Sequence, residues 1–125
     1  MVHNATMNDT KRLYDIILFG ASGFTGQLIA NYFASLQNPD LRLAFAGRNA
    51  AKLQPVLESY EKAYPDGQTP QLIVADVGNP DSLLEMTEQA RVLITTVGPY
   101  EEYGRPVVDA CIKSSTHYVD ITGEP

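Results

Sequence analysis

Cysteine, tryptophan, positive charge and long apolar runs are what this 125-residue sequence has little of. Cys111 is the single cysteine, which excludes an internal disulfide and any cysteine-based zinc cluster and fits a reducing compartment. No stretch approaches the ~20 apolar residues that a transmembrane helix requires. Met1 to Leu13 is polar and lacks the apolar segment of a secretory signal, so the sequons at Asn4 and Asn8 read as chance matches. A cytoplasmic protein is the expectation. With 9 basic against 15 acidic residues the formal net charge is −6. No global field is available to hold nucleic acid, and an anionic ligand has to be gripped locally.

What is there is the composition of an ordinary globular domain, 44% hydrophobic and 19% charged, at a length that suits one core. Residues 1–13 read as a disordered N-terminal tail and residues 14–125 as one domain. From Tyr14 onward, short apolar runs alternate with longer segments of helical period, the pattern of successive βα units. Ile16 to Phe19 is apolar without alternation, as a central parallel strand covered on both faces should be. Leu41–Ala46, Leu72–Ala75, Val92–Val97 and Tyr118–Ile121 read as the later strands.

Between the strands, Leu28, Ile29, Tyr32, Phe33 and Leu36 mark the inner stripe of a first helix starting near Thr25. Asn49 caps a second helix with Leu53, Val56, Leu57, Tyr60 and Tyr64 inward; Pro55 predicts a kink there or a later start. Asn79-Pro80 opens a third helix, and Val107, Val108, Cys111 and Ile112 face inward from a fourth. Right-handed crossovers then favour an α/β fold of the Rossmann type, a doubly wound parallel sheet in the order 3-2-1-4-5. In such a sheet the ligand crevice lies outside the carboxyl ends of the strands, where the order reverses.

Gly20-Ala21-Ser22-Gly23-Phe24-Thr25-Gly26 sits at that place, between a strand and a helix. Phosphates need bare backbone N–H groups aimed by a helix N-terminus, and glycine lets them approach; Ser22 and Thr25 add hydroxyls. No Lys-Ser or Lys-Thr pair follows, which argues against a nucleoside triphosphate loop. At the end of the second strand stands Gly47-Arg48-Asn49, with Lys52 one turn on, where an NAD-preferring domain carries an acidic residue. Arg48 and Lys52 suit the 2′-phosphate of NADP, with NAD as the lesser alternative. Asp76 and Val77 fall where adenine would lie, or else Asp76 merely turns the chain before Asn79. Thr96, Val97, Gly98, Pro99 and Tyr100 would line the floor toward the nicotinamide.

Taken with Val97-Gly98-Pro99-Tyr100 and Tyr118-Val119-Asp120-Ile121-Thr122-Gly123-Glu124, the glycine loop and Ala46-Gly47-Arg48 resemble the N-terminal domain of the saccharopine dehydrogenase-like oxidoreductases, a group that includes saccharopine reductase and trans-acting enoyl reductases. The resemblance runs from Tyr14 to Pro125. It implies an NAD(P)-binding domain followed by a larger α+β domain with the substrate and dimer contacts, so that this chain stops before its substrate domain and is inactive alone.

Tyr100, Tyr103, Asp109, His117, Asp120 and Glu124 are the polar groups expected nearest the carboxyl edge of the last two strands, and none forms an evident catalytic pair. The catalytic residues stay unassigned. No Tyr-x-x-x-Lys arrangement occurs among them, His117 reads as a structural hydrogen-bonding residue, Cys111 as a small core residue, and no metal site is expected. The reading is a domain that positions nicotinamide for hydride transfer to a carbonyl, imine or enoyl group. A non-enzymatic NADP-binding redox sensor is the rival, and fold analogy alone does not separate the two.

Overall fold

The computed structural model describes residues 12–97 and 100–121, with the backbone alone at 100–103. Five parallel strands, β1 (Tyr14–Phe19), β2 (Leu43–Gly47), β3 (Gln71–Val74), β4 (Ala90–Thr95) and β5 (His117–Asp120), form one sheet in the order β3-β2-β1-β4-β5. The helices between them are α1 (Phe24–Leu36), α2 (Ala50–Ala63), α3 (Pro80–Thr87) and α4 (Tyr100–Ser114). This is the doubly wound Rossmann-type order that the alternation of runs predicts. The remaining part of the tail reading, residues 1–11, lies outside the described residues.

Side-chain parity along β1 divides the core. Ile17 and Phe19 pack with Ala44, Ala46 and Leu93 against α3 and α4, through Leu83, Met86, Val107, Ala110 and Cys111. Leu18 packs with Leu43 and Phe45 against α1 and α2, through Ala30, Phe33, Ala34, Leu53, Val56 and Tyr60. Each fully buried large apolar side chain among these contributes about 1.5–3 kcal/mol.

Several boundaries and faces differ from the sequence reading. β2 starts at Leu43, because Asp15 takes the backbone N–H of Arg42 on its carboxylate (2.9 Å) and ends the approach to the strand there. β4 begins at Ala90, paired with Tyr14, and stops at Thr95. The inner face of α1 is Gly26, Ala30, Phe33 and Ala34, while Leu28, Tyr32 and Leu36 are exposed. Small residues let the helix axis settle close to the sheet, and these long side chains are left off the contact face. Ile112 is likewise outside the core, 71% exposed, since Ala110 and Cys111 occupy the contact. Pro55 does not delay α2: Asn49 caps it by accepting from the Ala51 N–H at 2.9 Å, and the helix runs on through Pro55 to Ala63. Ala51 and Pro55 are both exposed, so water can satisfy the carbonyl that proline leaves unbonded.

The tail reading also fails at its last residues, because Arg12 is only 6% exposed. Its guanidinium donates to the carbonyls of Thr87 (3.0 Å) and Glu88 (2.8 Å) at the end of α3, to the Ser114 carbonyl at the end of α4, and to the Thr116 hydroxyl (3.1 Å). Helix carboxyl ends carry unpaired carbonyls and partial negative charge, and here they take the place of a carboxylate partner. Arg12→Ala should lower stability by about 2–4 kcal/mol, since it strands these buried acceptors. Arg12→Lys should recover little, lacking the planar fork. An unchanged urea midpoint for the alanine variant would show that water replaces the clasp.

Candidate functional site

The glycine segment forms the turn from β1 into α1, and both neighbouring strands hold it. The N–H groups of Gly20 and Ala21 donate to the Ala46 carbonyl at the end of β2 (2.9 and 3.2 Å). From β4, the Thr96 N–H donates to the Phe19 carbonyl (2.9 Å) and the Thr96 hydroxyl to the Gly20 carbonyl (3.0 Å). Thr96, expected on the nicotinamide floor, thus fixes the turn with its hydroxyl.

The glycines have three different reasons to be glycine. Gly20 has φ +91°, and a Cβ there would stand 2.5 Å from the Thr96 hydroxyl. A Cβ on Gly26 would lie 2.1 Å from the Gly20 carbonyl oxygen and 2.8 Å from the Ala21 Cα, so this residue is where helix and turn touch. At Gly23 the nearest atom would be 3.5 Å away, an ordinary contact, and φ is −74°. Folding makes no such steric demand for glycine at position 23. What the bare position provides is access to the start of α1, whose N-cap has no side-chain hydrogen bond and whose first turn has no acidic residue. The hydroxyls of Ser22 and Thr25 make no hydrogen bond among the described residues, while the Ser22 carbonyl accepts from Gln27 (2.8 Å). Such a helix start, with open backbone donors and positive polarity, fits a pyrophosphate.

One strand over, Gly47 ends β2 and accepts from the Ala75 N–H at 3.0 Å, which aligns the ends of β2 and β3. Arg48 and Lys52 follow it, both exposed and without an ion pair among the described residues. Arg42 and Arg91, by contrast, pair with Asp15 at the opposite edge of the sheet (3.0 and 3.7 Å). Burial raises the pKa of Asp15, but hydrogen bonds and charge from Arg42, with Arg91, outweigh it and leave the carboxyl below its ordinary value. The side-chain oxygen of Asn49 caps α2.

Asp76 forms an Asx turn, its carboxylate accepting from the Gly78 N–H at 2.9 Å while its own N–H donates to the Ser82 hydroxyl at 3.0 Å. The turn-forming role weighed for it is therefore present, and its second oxygen accepts no hydrogen bond among the described residues. Val77 and Val97 are half-buried against the core, with the Val97 N–H on the Thr95 hydroxyl (3.2 Å). Gly98, Pro99, the Tyr100, Tyr103 and Glu124 side chains, and the Thr122–Gly123 stretch lie outside the described residues.

Two expected neighbours of the carboxyl edge are elsewhere. His117 is the first residue of β5, exposed and at the amino edge beside Asp15, Arg91 and Val92, and it makes no hydrogen bond among the described residues. Asp109 lies on α4 and pairs with Arg105 (3.6 Å). A residue in the turn from helix into strand is delivered to the amino edge, as His117 is, whereas Asp109 points to solvent from the body of α4. Asp120 does end β5 and accepts from the Tyr118 hydroxyl at 3.3 Å. Cys111 is buried, and burial pushes its thiol up to about 12, which keeps it protonated. The Arg12 clasp went unseen in the sequence, where a basic residue in a polar stretch gives no signal of burial.

A parallel 3-2-1-4-5 sheet with an uncapped, glycine-lined helix start at its switch point defines a dinucleotide-binding domain of the Rossmann class. The profile of the saccharopine dehydrogenase NADP binding domain matches residues 16–124, and the chain belongs to that family; NADP is its cofactor. It is 44% identical over 118 residues to a trans-acting enoyl reductase of Mycobacterium leprae, covering 94% of this chain and 27% of the relative. It is 44% identical over 130 residues to a saccharopine dehydrogenase-like oxidoreductase of Mus musculus, covering 95% of this chain and 30% of the relative. The chain thus spans less than a third of the length of these relatives. Among solved structures, apo saccharopine dehydrogenase (L-Glu forming) from Saccharomyces cerevisiae superposes with TM-score 0.69 at 22% identity, over 86% of this chain and 21% of that one. A Citrobacter sp. triphenylmethane reductase complexed with NADP(H) gives 0.66 at 19% identity, over 85% and 36%. At these identities the two structures speak for the fold.

Proposed function

We propose that this domain serves an oxidoreductase in which it grips NADP along the carboxyl edge of the sheet and presents the nicotinamide to a substrate pocket built elsewhere in the protein. The observation that carries the reading is Gly23, a glycine that packing does not demand, at an uncapped helix start. In this reading the N–H groups of the first turn of α1 hold the pyrophosphate, with the Ser22 and Thr25 hydroxyls as further donors. Arg48 and Lys52 meet the 2′-phosphate, the second oxygen of Asp76 accepts the adenine amino group, and Val77 packs on the ring. Thr96 keeps the turn in place, and Val97 to Tyr100 borders the nicotinamide end. When bound, NADPH supplies a hydride, which suits reduction of a carbonyl, imine or enoyl group. The protein's share is orientation and charge.

Since the substrate pocket lies outside this domain in the proposal, the 125-residue chain should bind dinucleotide weakly and turn nothing over, whereas the complete gene product should oxidise NADPH with an acceptor of one of these classes. Following absorbance at the nicotinamide band checks both. Sustained NADPH oxidation by the 125-residue chain would show that the domain carries its own substrate site.

A further inference from the structure

The sheet is covered unevenly. On the face that buries Leu18, Leu43 and Phe45, α1 packs on β1 while α2 packs on β2 and β3. The same face continues across β4 and β5 as Val92, Ile94, His117 and Val119, set by the register Val92↔His117 and Ile94↔Val119. Here the cover by described residues ends: Val119 is 42% exposed and Ile121, just beyond it, 41%. With α2 on one flank of α1, the other flank borders this strip, and Tyr32 and Leu36 on α1 are exposed. Parallel strands are ordinarily buried on both faces.

Two strands are roughly 10 Å wide, about the diameter of one helix. The ends of the strip differ. At the amino edge a cavity of about 300 Å³ is lined by Asp15, Ile16, Arg91, Val92 and His117. Arg91 meets Asp15 only at 3.7 Å, and His117 has no partner among the described residues, so both keep donors available. On the other face, at the same edge, Arg12 gathers the carbonyl ends of α3 and α4. A helix lying antiparallel to the strands, as α1 to α4 do, would bring its own carbonyl end to Arg91 and His117.

We propose that this strip is the seat of one amphipathic helix supplied by the remainder of the same polypeptide, antiparallel to the strands, with its carboxyl end over Arg91 and His117. The matched relatives are more than three times as long as the part this chain covers, and in a gene product of that length a tethered segment would reach this strip at high effective concentration. A second copy is the poorer occupant, because each chain carries a net charge of −6.

Hydroxyl-radical footprinting of the 125-residue chain and of the complete gene product tests this. Tyr32, Val119 and Ile121 should label in the short chain and lose labelling in the complete product. Val119→Lys should lower the thermal midpoint of the complete product and leave that of the short chain unchanged; should that variant not fold, footprinting of the parent decides. Unchanged labelling in the complete product, or a gene product ending near Pro125, would overturn the proposal. Loss of labelling in the short chain as its concentration rises would also overturn it, in favour of self-association.

Discussion

Gly23→Val should leave the domain folded and abolish its binding of NADP, while Gly26→Ala, a smaller change three residues on, should unfold or strongly destabilise it. The contrast follows from what each new Cβ meets. At Gly23 the nearest atom is 3.5 Å away and φ is one that any residue adopts. The valine methyls would instead stand over the first N–H groups of α1, where a phosphate oxygen has to come within hydrogen-bonding distance. At Gly26 the Cβ would be 2.1 Å from the Gly20 carbonyl oxygen, and both Gly20 and Ala21 are backbone neighbours held by β2 and β4. No flexible side chain can yield, so α1 must lift from the turn and lose the packing of Ala30, Phe33 and Ala34. A cost of about 3 kcal/mol or more is expected, at the upper end of overpacking effects. Calorimetric titration with NADP and thermal unfolding measure the two arms. If Gly23→Val bound NADP like the parent, the loop would be a structural turn only; if Gly26→Ala melted like the parent, the helix–turn contact would be softer than its geometry implies.

The second large effect concerns cofactor choice. NADP differs from NAD by one phosphate on the adenosine ribose, so discrimination has to arise where that ribose lies, after β2 in the proposed pose. Arg48 and Lys52 stand there without an ion pair among the described residues. They do not have to break a native contact to reach a ligand. A hydrogen bond to a charged group is worth roughly 1.5–3 kcal/mol, or about ten- to a hundredfold in affinity, with exposure favouring the lower end. Lys52, a flexible point charge, adds a smaller share. In the complete protein Arg48→Ala should therefore weaken NADP by about tenfold or more and NAD little, and added salt should narrow the gap in the parent. Equal weakening of both cofactors would place Arg48 on the adenine ring, and no weakening of either would leave it a surface residue.

Much of this domain was legible before any coordinates. The order of strands and helices followed from apolar runs and helical period, the strand order from the handedness of crossovers, and both Asn caps from residue type alone. Asn49 and Asn79 accept from the N–H groups of Ala51 and Ser82, as capping requires. The glycine loop was placed by its position between strand and helix, and the order of the strands set it at the carboxyl edge between β2 and β4. All of these rest on interactions within a few residues, or on chirality, which is the same for every chain.

What only the tertiary structure decided are matters of distance between segments. Spacing could not tell that Gly26 is a contact and Gly23 an opening, because the difference lies in how far the Gly20 carbonyl is from each. Periodicity marked an apolar stripe on α1 but could not weigh Leu28 and Tyr32 against Gly26, Ala30 and Ala34. The small residues won because they allow closer approach to the sheet. His117 looked like a neighbour of the crevice from its place in the chain, and the direction of β5 put it at the other edge. Arg12 looked like solvated tail, and the carboxyl ends of α3 and α4, more than 70 and 100 residues away, buried it. Sequence determines which local structures form and in what order, since their hydrogen bonds are short-range; which side chains end up in contact is set by packing distances that exist only once those structures are assembled.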